Sequence, residues 1–243
     1  MAKAMNESNE DYRGDEDIEV TDYKEMTKAE LIKCLEAHDA HHQEHHEAGE
    51  ILEQVKDGWI ETFTGRQFHF SAEDPDEVAI EDIAHALSLL NRYNGHTQRP
   101  YSVAEHCVLM AQYVESVPGT VPADVLTTLL HDASEAYIGD MTRPLKGLFP
   151  QFKVLEEKIH ELVALKFDTQ YPHPDWLKEL DMRILTDERA QAMDKYSSND
   201  WGLEGVQPLG VQLRFWSPRE AEREFILVYR RCLQAMIQPI IEE

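Results

Sequence analysis

No stretch of about 18 apolar residues occurs in this sequence, so nothing in it reads as a membrane span. The opening MAKAMNESNEDYRGDEDIEV has no apolar segment of the kind a secretion signal needs. Cysteine is scarce. Cys34, Cys107 and Cys232 are unclustered and odd in number, which argues against a disulfide framework and a zinc-ribbon spacing. The expected setting is therefore reducing and cytoplasmic (the host cytoplasm if the gene is carried by a phage). Positive charge is also short: 23 Lys and Arg stand against 47 Asp and Glu, a formal net charge of -24. Such a field repels phosphate backbones, so neither nucleic acid nor a membrane is expected as a partner. A small anionic substrate is still allowed, because a local cation can dominate inside a pocket. Finally, there is no internal repeat and no strand–helix–strand alternation, which excludes repeat arrays and parallel α/β folds.

What is there is helical. The chain has 243 residues, 42% of them hydrophobic, enough for one domain with a real core plus a tail. Residues 1–26 are acidic and poor in apolar side chains and read as a disordered arm. Over 1–53 there are 16 acidic against 5 basic residues. Thr27 and Glu30 fit a capping box for one long helix over 27–57, read as a self-association element. A homo-oligomer is expected. That helix carries His38, His41, His42, His45 and His46, whose i,i+4 sets could chelate a metal. With no core to hold the rings, a solvated polar face is the preferred reading.

The domain proper is placed at 58–243. WIETFTGRQFHF alternates around Thr64-Gly65 and predicts a small β-hairpin near 59–70. AIEDIAHALSLLNRY has apolar residues at helical spacing. Ser102 and Glu105 form a second capping box, and Pro122 opens a helix that the pattern carries through Tyr137. Two more helices are predicted over 151–167 and 174–194. A long glycine-containing loop follows, and Ser217-Pro218 with Glu220 opens the last helix. The predicted fold class is all-α with one small hairpin.

The run LLHDASEAYIGD (129–140) puts four ionisable groups into an apolar helix. A buried charge must be paired, hydrogen-bonded or bound to a metal. His131 and Glu135 are i,i+4 and Asp132 and Glu135 are i,i+3, so on a helix they share a face. His106 sits among Val103, Leu109 and Met110, and Asp181 among Leu177, Ile184 and Leu185, each on an inward stripe. A lone core histidine, or a carboxylate paired with Lys178 or Arg183, would be unremarkable. Three inward faces carrying H, HD and D favour a metal site.

YSVAEHC, LLHDASEAYIGDMTRPLK and ELDMRILTDE together resemble the HD-domain phosphohydrolases. They look most like the branch holding bacterial 5'-deoxynucleotidases and phage deoxynucleoside triphosphohydrolases, including those that remove dATP. The likeness runs from about Trp59 to the last helix and is dense over Arg92–Lys146; the first 58 residues fall outside it. The resemblance implies a helical HD-domain bundle and hydrolysis of a deoxynucleotide phosphate ester, with His106, His131, Asp132 and Asp181 as ligands of one divalent cation (Mn, Co, Fe, Ni, Zn or Mg). It implies that Glu135 orients or deprotonates the attacking water and that Asp140 is a second acid near the scissile phosphate. It makes Arg92 and Lys146 phosphate-holding cations, and Tyr93 the aromatic against the deoxyribose.

The residues leave rivals open. Arg92 could simply sit at a helix C-terminus, Asp140 could be a turn aspartate, Glu105 a capping partner and His96 a surface loop side chain. A nucleotide-binding regulatory module on an inactive HD scaffold, a scaffold acting through the His-rich helix, and a hydrolase of a signalling nucleotide are the alternative functions.

Overall fold

The computed structural model describes Thr27, Glu30, Lys33 and residues 48–193, 195–196 and 198–241. The chain divides into two units, 1–47 and 48–243. In the first, Thr27 and Glu30 make the expected capping box: Thr27 N and Oγ1 donate to Glu30 Oε2 at 2.8 and 2.7 Å. The acidic arm over 1–26 and the five histidines between 38 and 46 lie outside the described residues. Everything below concerns the second unit.

Among the described residues the only sheet is a hairpin, β1 (Trp59–Glu61) with β2 (Gln67–His69), antiparallel with Ile60 opposite Phe68. Gly65 takes φ 78° in its turn, a conformation open to glycine at no steric cost. Thr64 donates through N and Oγ1 to both oxygens of buried Asp82, at 2.7 and 2.9 Å, which pins the hairpin tip to the next helix. The inward side chain of β2, Phe68, stacks on Tyr137 at 3.9 Å between centroids.

The rest is helical: α1 (Ile80–Leu89), α2 (Val103–Ser116), α3 (Pro122–Leu129), α4 (Glu135–Ile138), α5 (Arg143–Lys146), α6 (Pro150–Phe167), α7 (Asp175–Ala192) and α8 (Pro218–Ile241). The all-α class with a small hairpin, expected from the sequence, is the observed one. α1, α2, α3 and α8 pack on one another around Ile83, Leu87, Val108, Leu126, Leu129, Phe225 and Val228. α2 is the central helix: every residue from Val103 to Ala111 is buried. α7 lies against α2 through a smaller cluster that includes Leu177 and Ile184 with Leu109 and Met110. That stripe fixes the rotation of α7 and turns Asp181, midway between Leu177 and Ile184, toward α2.

Two predicted helices are shorter than their hydrophobic patterns. α1 stops at Leu89, and Asn91 then pairs with Ser102 in an isolated antiparallel bridge. α3 stops at Leu129 with Leu130 as its cap, eight residues before Tyr137 where periodicity placed the end. α5 was not foreseen. The capping boxes also differ. Ser217 and Glu220 cap each other reciprocally, whereas Ser102 accepts from Glu105 N at 3.1 Å and gets nothing back. The Glu105 carboxylate is fully buried and accepts three backbone N–H groups instead, from Arg214, Phe215 and Trp216 at 2.6–2.8 Å. It anchors the approach to α8.

Candidate metal centre and cleft

The HD pair stands on the break between α3 and α4. From Leu130 the backbone closes three-residue rings: Ala133 N to Leu130 O, Glu135 N to Asp132 O, Tyr137 N to Ser134 O, each 3.0 Å. At three residues per turn, side chains three apart eclipse. Asp132 and Glu135 are joined by one of these tight rings, and the two side chains line the same cleft.

Four predicted ligands converge here. His106 Nε2 lies 3.3 Å from His131 Nε2, 3.6 Å from Asp132 Oδ2 and 3.4 Å from Asp181 Oδ1; His131 Nε2 lies 3.4 Å from Asp132 Oδ2. The opposite ring nitrogens are committed. His131 Nδ1 donates to Thr128 O at 2.8 Å, and a carbonyl can only accept, so that nitrogen carries the proton. His106 Nδ1 donates to Glu188 Oε1 at 2.7 Å. With no proton on either Nε2, the two rings would present lone pairs to each other and to two carboxylates. That arrangement is repulsive until a cation sits among them. Bonds of about 2.1 Å at tetrahedral or octahedral angles put donor atoms roughly 3.0–3.4 Å apart, close to the spacing found. His106, His131 and Asp181 form one set that could hold a metal ion, and His131 and Asp132 belong to a second with Cys107. Without one, a proton can take the place: burial and Arg92 oppose the charge on His106, but Glu188 and Asp181 outweigh them and push its pKa up to about 9. Burial likewise opposes ionised Asp132, and His131, His106 and Arg92 overcome it and hold its pKa below the usual range. Cys107 is also within reach of His131 and Asp132, but burial pushes its thiol pKa well up, which keeps it protonated and a poor ligand.

The two carboxylates of the quartet, but not its two histidines, line a cleft of about 700 Å³, the size of a small-molecule site. Arg92, Tyr93, Asp132, Glu135, Asp140, Lys146 and Asp181 all line it. Burial first, then Asp132 and Asp140, push the pKa of Glu135 well up, and its Oε2 has no hydrogen-bond partner. Lys146 Nζ, 3.8 Å from the other oxygen, is also paired with Glu156. Burial raises the pKa of Asp140 as well. Arg92 is not at a helix C-terminus, as one reading of the sequence had it. It follows the bridge residue Asn91, in a turn where Tyr93 and Asn94 adopt left-handed φ of 57° and 51°. Non-glycine residues held there carry strain, which is common at functional sites. His96 is exposed and does not line the cleft. Neither Lys178 nor Arg183 pairs with Asp181: Lys178 binds Asp175, and Arg183 donates to Gln207 O and Pro208 O.

Sequence reasoning missed three features. Glu188 is fully buried and accepts from Arg92 Nη2 at 3.2 Å, Tyr101 OH at 2.9 Å, His106 Nδ1 and Tyr93 OH. Its spacing, two turns after Asp181 on α7, was a usable signal. Arg143, whose Nη2 is 3.6 Å from Asp181 Oδ2, and the Asp200-Trp201 pair line the cleft without any local pattern to announce them. Behind the HD turn, His173 Nε2 donates to His131 O at 3.1 Å, and Ser134 bonds to His160 at 3.0 Å.

No family model matches the chain. Over 132 residues it is 37% identical to the uncharacterized protein YfdR of Escherichia coli, a match covering 54% of this chain and 70% of that protein. Over 117 residues it is 36% identical to an uncharacterized protein of Rhodobacter capsulatus, covering 46% of this chain and 60% of the other. On the first of these likenesses, the chain belongs to the family of YfdR.

Proposed function

We propose that this chain is an HD-type, metal-dependent phosphohydrolase that cleaves the phosphate ester of a deoxynucleotide. The observation that carries the reading is the convergence of two imidazole Nε2 atoms and two carboxylate oxygens at 3.3–3.6 Å, beside a cleft that also holds Glu135. His106, His131, Asp132 and Asp181 would hold one divalent cation; a mixed N/O set suits Mn, Co, Fe, Ni or Zn, and Mg belongs to the same proposal. Bound there, such an ion would polarise a phosphoryl oxygen and lower the pKa of water. Glu135, which lines the cleft with Oε2 unpartnered, takes the proton of the attacking water. Arg92, with its Nε unpartnered, Arg143 and Lys146 supply positive charge to the phosphate in an otherwise acidic protein. Asp140 stands beside Glu135 as the second acid.

The bond broken is the same for a 5'-nucleotidase, which yields orthophosphate and a deoxynucleoside, and for a triphosphohydrolase, which yields triphosphate. Product analysis decides between them. The purified full chain is incubated with Mn or Co and each deoxynucleoside mono- and triphosphate; orthophosphate or triphosphate is expected. Nucleotide retained without turnover would replace this reading with that of a regulatory module, and turnover of a signalling nucleotide alone would replace the substrate.

A further inference from the structure

We infer that Asp200 and Trp201 form a nucleobase subsite, in which the base lies against the Trp201 indole and Asp200 accepts from an exocyclic amine. The inference rests on the proposed function, which requires a nucleotide but says nothing of what holds its base.

The cleft holds a partner for each part of a nucleotide. Arg92 Nη1 is 3.5 Å from Asp132, so the phosphate end is beside the candidate metal ligands. Tyr93 comes next along the chain, and its ring lies 5.6 Å from that of Trp201, tilted by 48°. Trp201 and Asp200 line the same cleft. A cation, an aromatic and a second aromatic next to the first offer partners for phosphate, sugar and base.

Trp201 belongs to a segment without helix or strand, yet that segment is fastened. Arg183, Asp187 and Gln191, at i,i+4 spacing on α7, bind its backbone: Arg183 to Gln207 O and Pro208 O, Asp187 to Leu209 N and Gly210 N, Gln191 to Leu213 N. Arg189 donates to Asn199 O and places its guanidinium 5.7 Å from the centre of the Trp201 ring. A large aromatic with the Arg189 guanidinium beside it, half-buried in a cleft wall, is suited to stacking a base, which every nucleobase permits through its π-face. Asp200 adds selectivity. One of its oxygens accepts from Gly202 N at 2.8 Å, and the other is available to a ligand. A carboxylate accepts only, so where it faces the exocyclic position it favours adenine, guanine or cytosine, whose amines donate there, over thymine, whose one base donor is the ring N3–H.

The test uses the full chain with Mn. KM and kcat are measured for each deoxynucleoside mono- and triphosphate and for two substrates without a base, deoxyribose 5-phosphate and deoxyribose 5-triphosphate. Calorimetry gives nucleotide affinity independently of turnover. Trp201→Ala should raise KM and Kd for nucleotides about 10–100-fold, the usual worth of one base–aromatic stack. It should leave the base-free substrates unchanged, and Trp201→Phe should restore most of the loss. Asp200→Asn should narrow the preference over thymine. A Trp201→Ala effect that is absent, or equal with and without a base, overturns the subsite while leaving the hydrolase reading intact. Nucleotide binding that needs Trp201 but gives no product supports the subsite and removes the hydrolase. Absence of both binding and turnover removes both.

Discussion

Two interiors meet in this molecule, and they are built on opposite terms. Between α1, α2, α3 and α8, residues such as Ile83, Leu129 and Phe225 are fully enclosed by other apolar side chains. Under the cleft, Glu188, His106 and Tyr101 are just as dry, but each is polar and tied to a specific partner. The first gains from every methylene independently, about 25 cal/mol per Å² removed from water. The second gains little net, because desolvating charges offsets their attraction; it is costly only when one partner is missing. Apolar packing therefore degrades gradually, while the polar interior is close to all-or-none. A chain carries the second kind of interior where it must hold charged atoms in one arrangement.

That contrast can be broken or sharpened in four places. The largest effect is expected at Asp132. Asp132→Ala should abolish turnover, and Mn should raise the unfolding midpoint of wild type but not of the variant, since only a site that binds in the native state stabilises by mass action. Glu135→Ala should lose about 10²–10⁴-fold in kcat, the worth of a general base, while calorimetry still detects metal. Wild-type activity in that variant would remove Glu135 from its role. Glu188→Ala strands four donors at once, those of Arg92, Tyr93, Tyr101 and His106. Denaturant titration should show a loss of about 3–5 kcal/mol, together with weaker metal binding because His106 loses the bond that fixes its tautomer. The smallest effect belongs to the apolar side: Ile83→Val should cost about 0.5–1.5 kcal/mol with metal affinity unchanged. If Ile83→Val weakened metal binding as much as Glu188→Ala, the two interiors would be one cooperative unit and the contrast would fail.

Legibility followed the range of the interaction. The hairpin was readable because alternation around Thr64-Gly65 is local, and α8 because Ser217, Pro218 and Glu220 form a cap within four residues. The ends of α1 and α3 were not readable. Leu90 and Leu130 continue the hydrophobic period, and what stops the helices is not in that period: Asn91 bridges to Ser102, and the HD turn is seated against the quartet and the His160–His173 pair. Glu105 shows the same limit. Its spacing from Ser102 predicted a reciprocal cap, but a backbone segment more than a hundred residues away offered three N–H donors and took the carboxylate.

By itself, the sequence determined the helical class, the hairpin, and the inward faces that carry His106 and Asp181, because periodicity and burial are set by residues a few positions apart. Only the tertiary structure decided that these faces meet, that Glu188 ties His106 to Arg92 and Tyr101, and that Arg143 and Trp201 close the cleft. Charges and aromatics far apart in the chain find partners through packing, and packing leaves no local period to read.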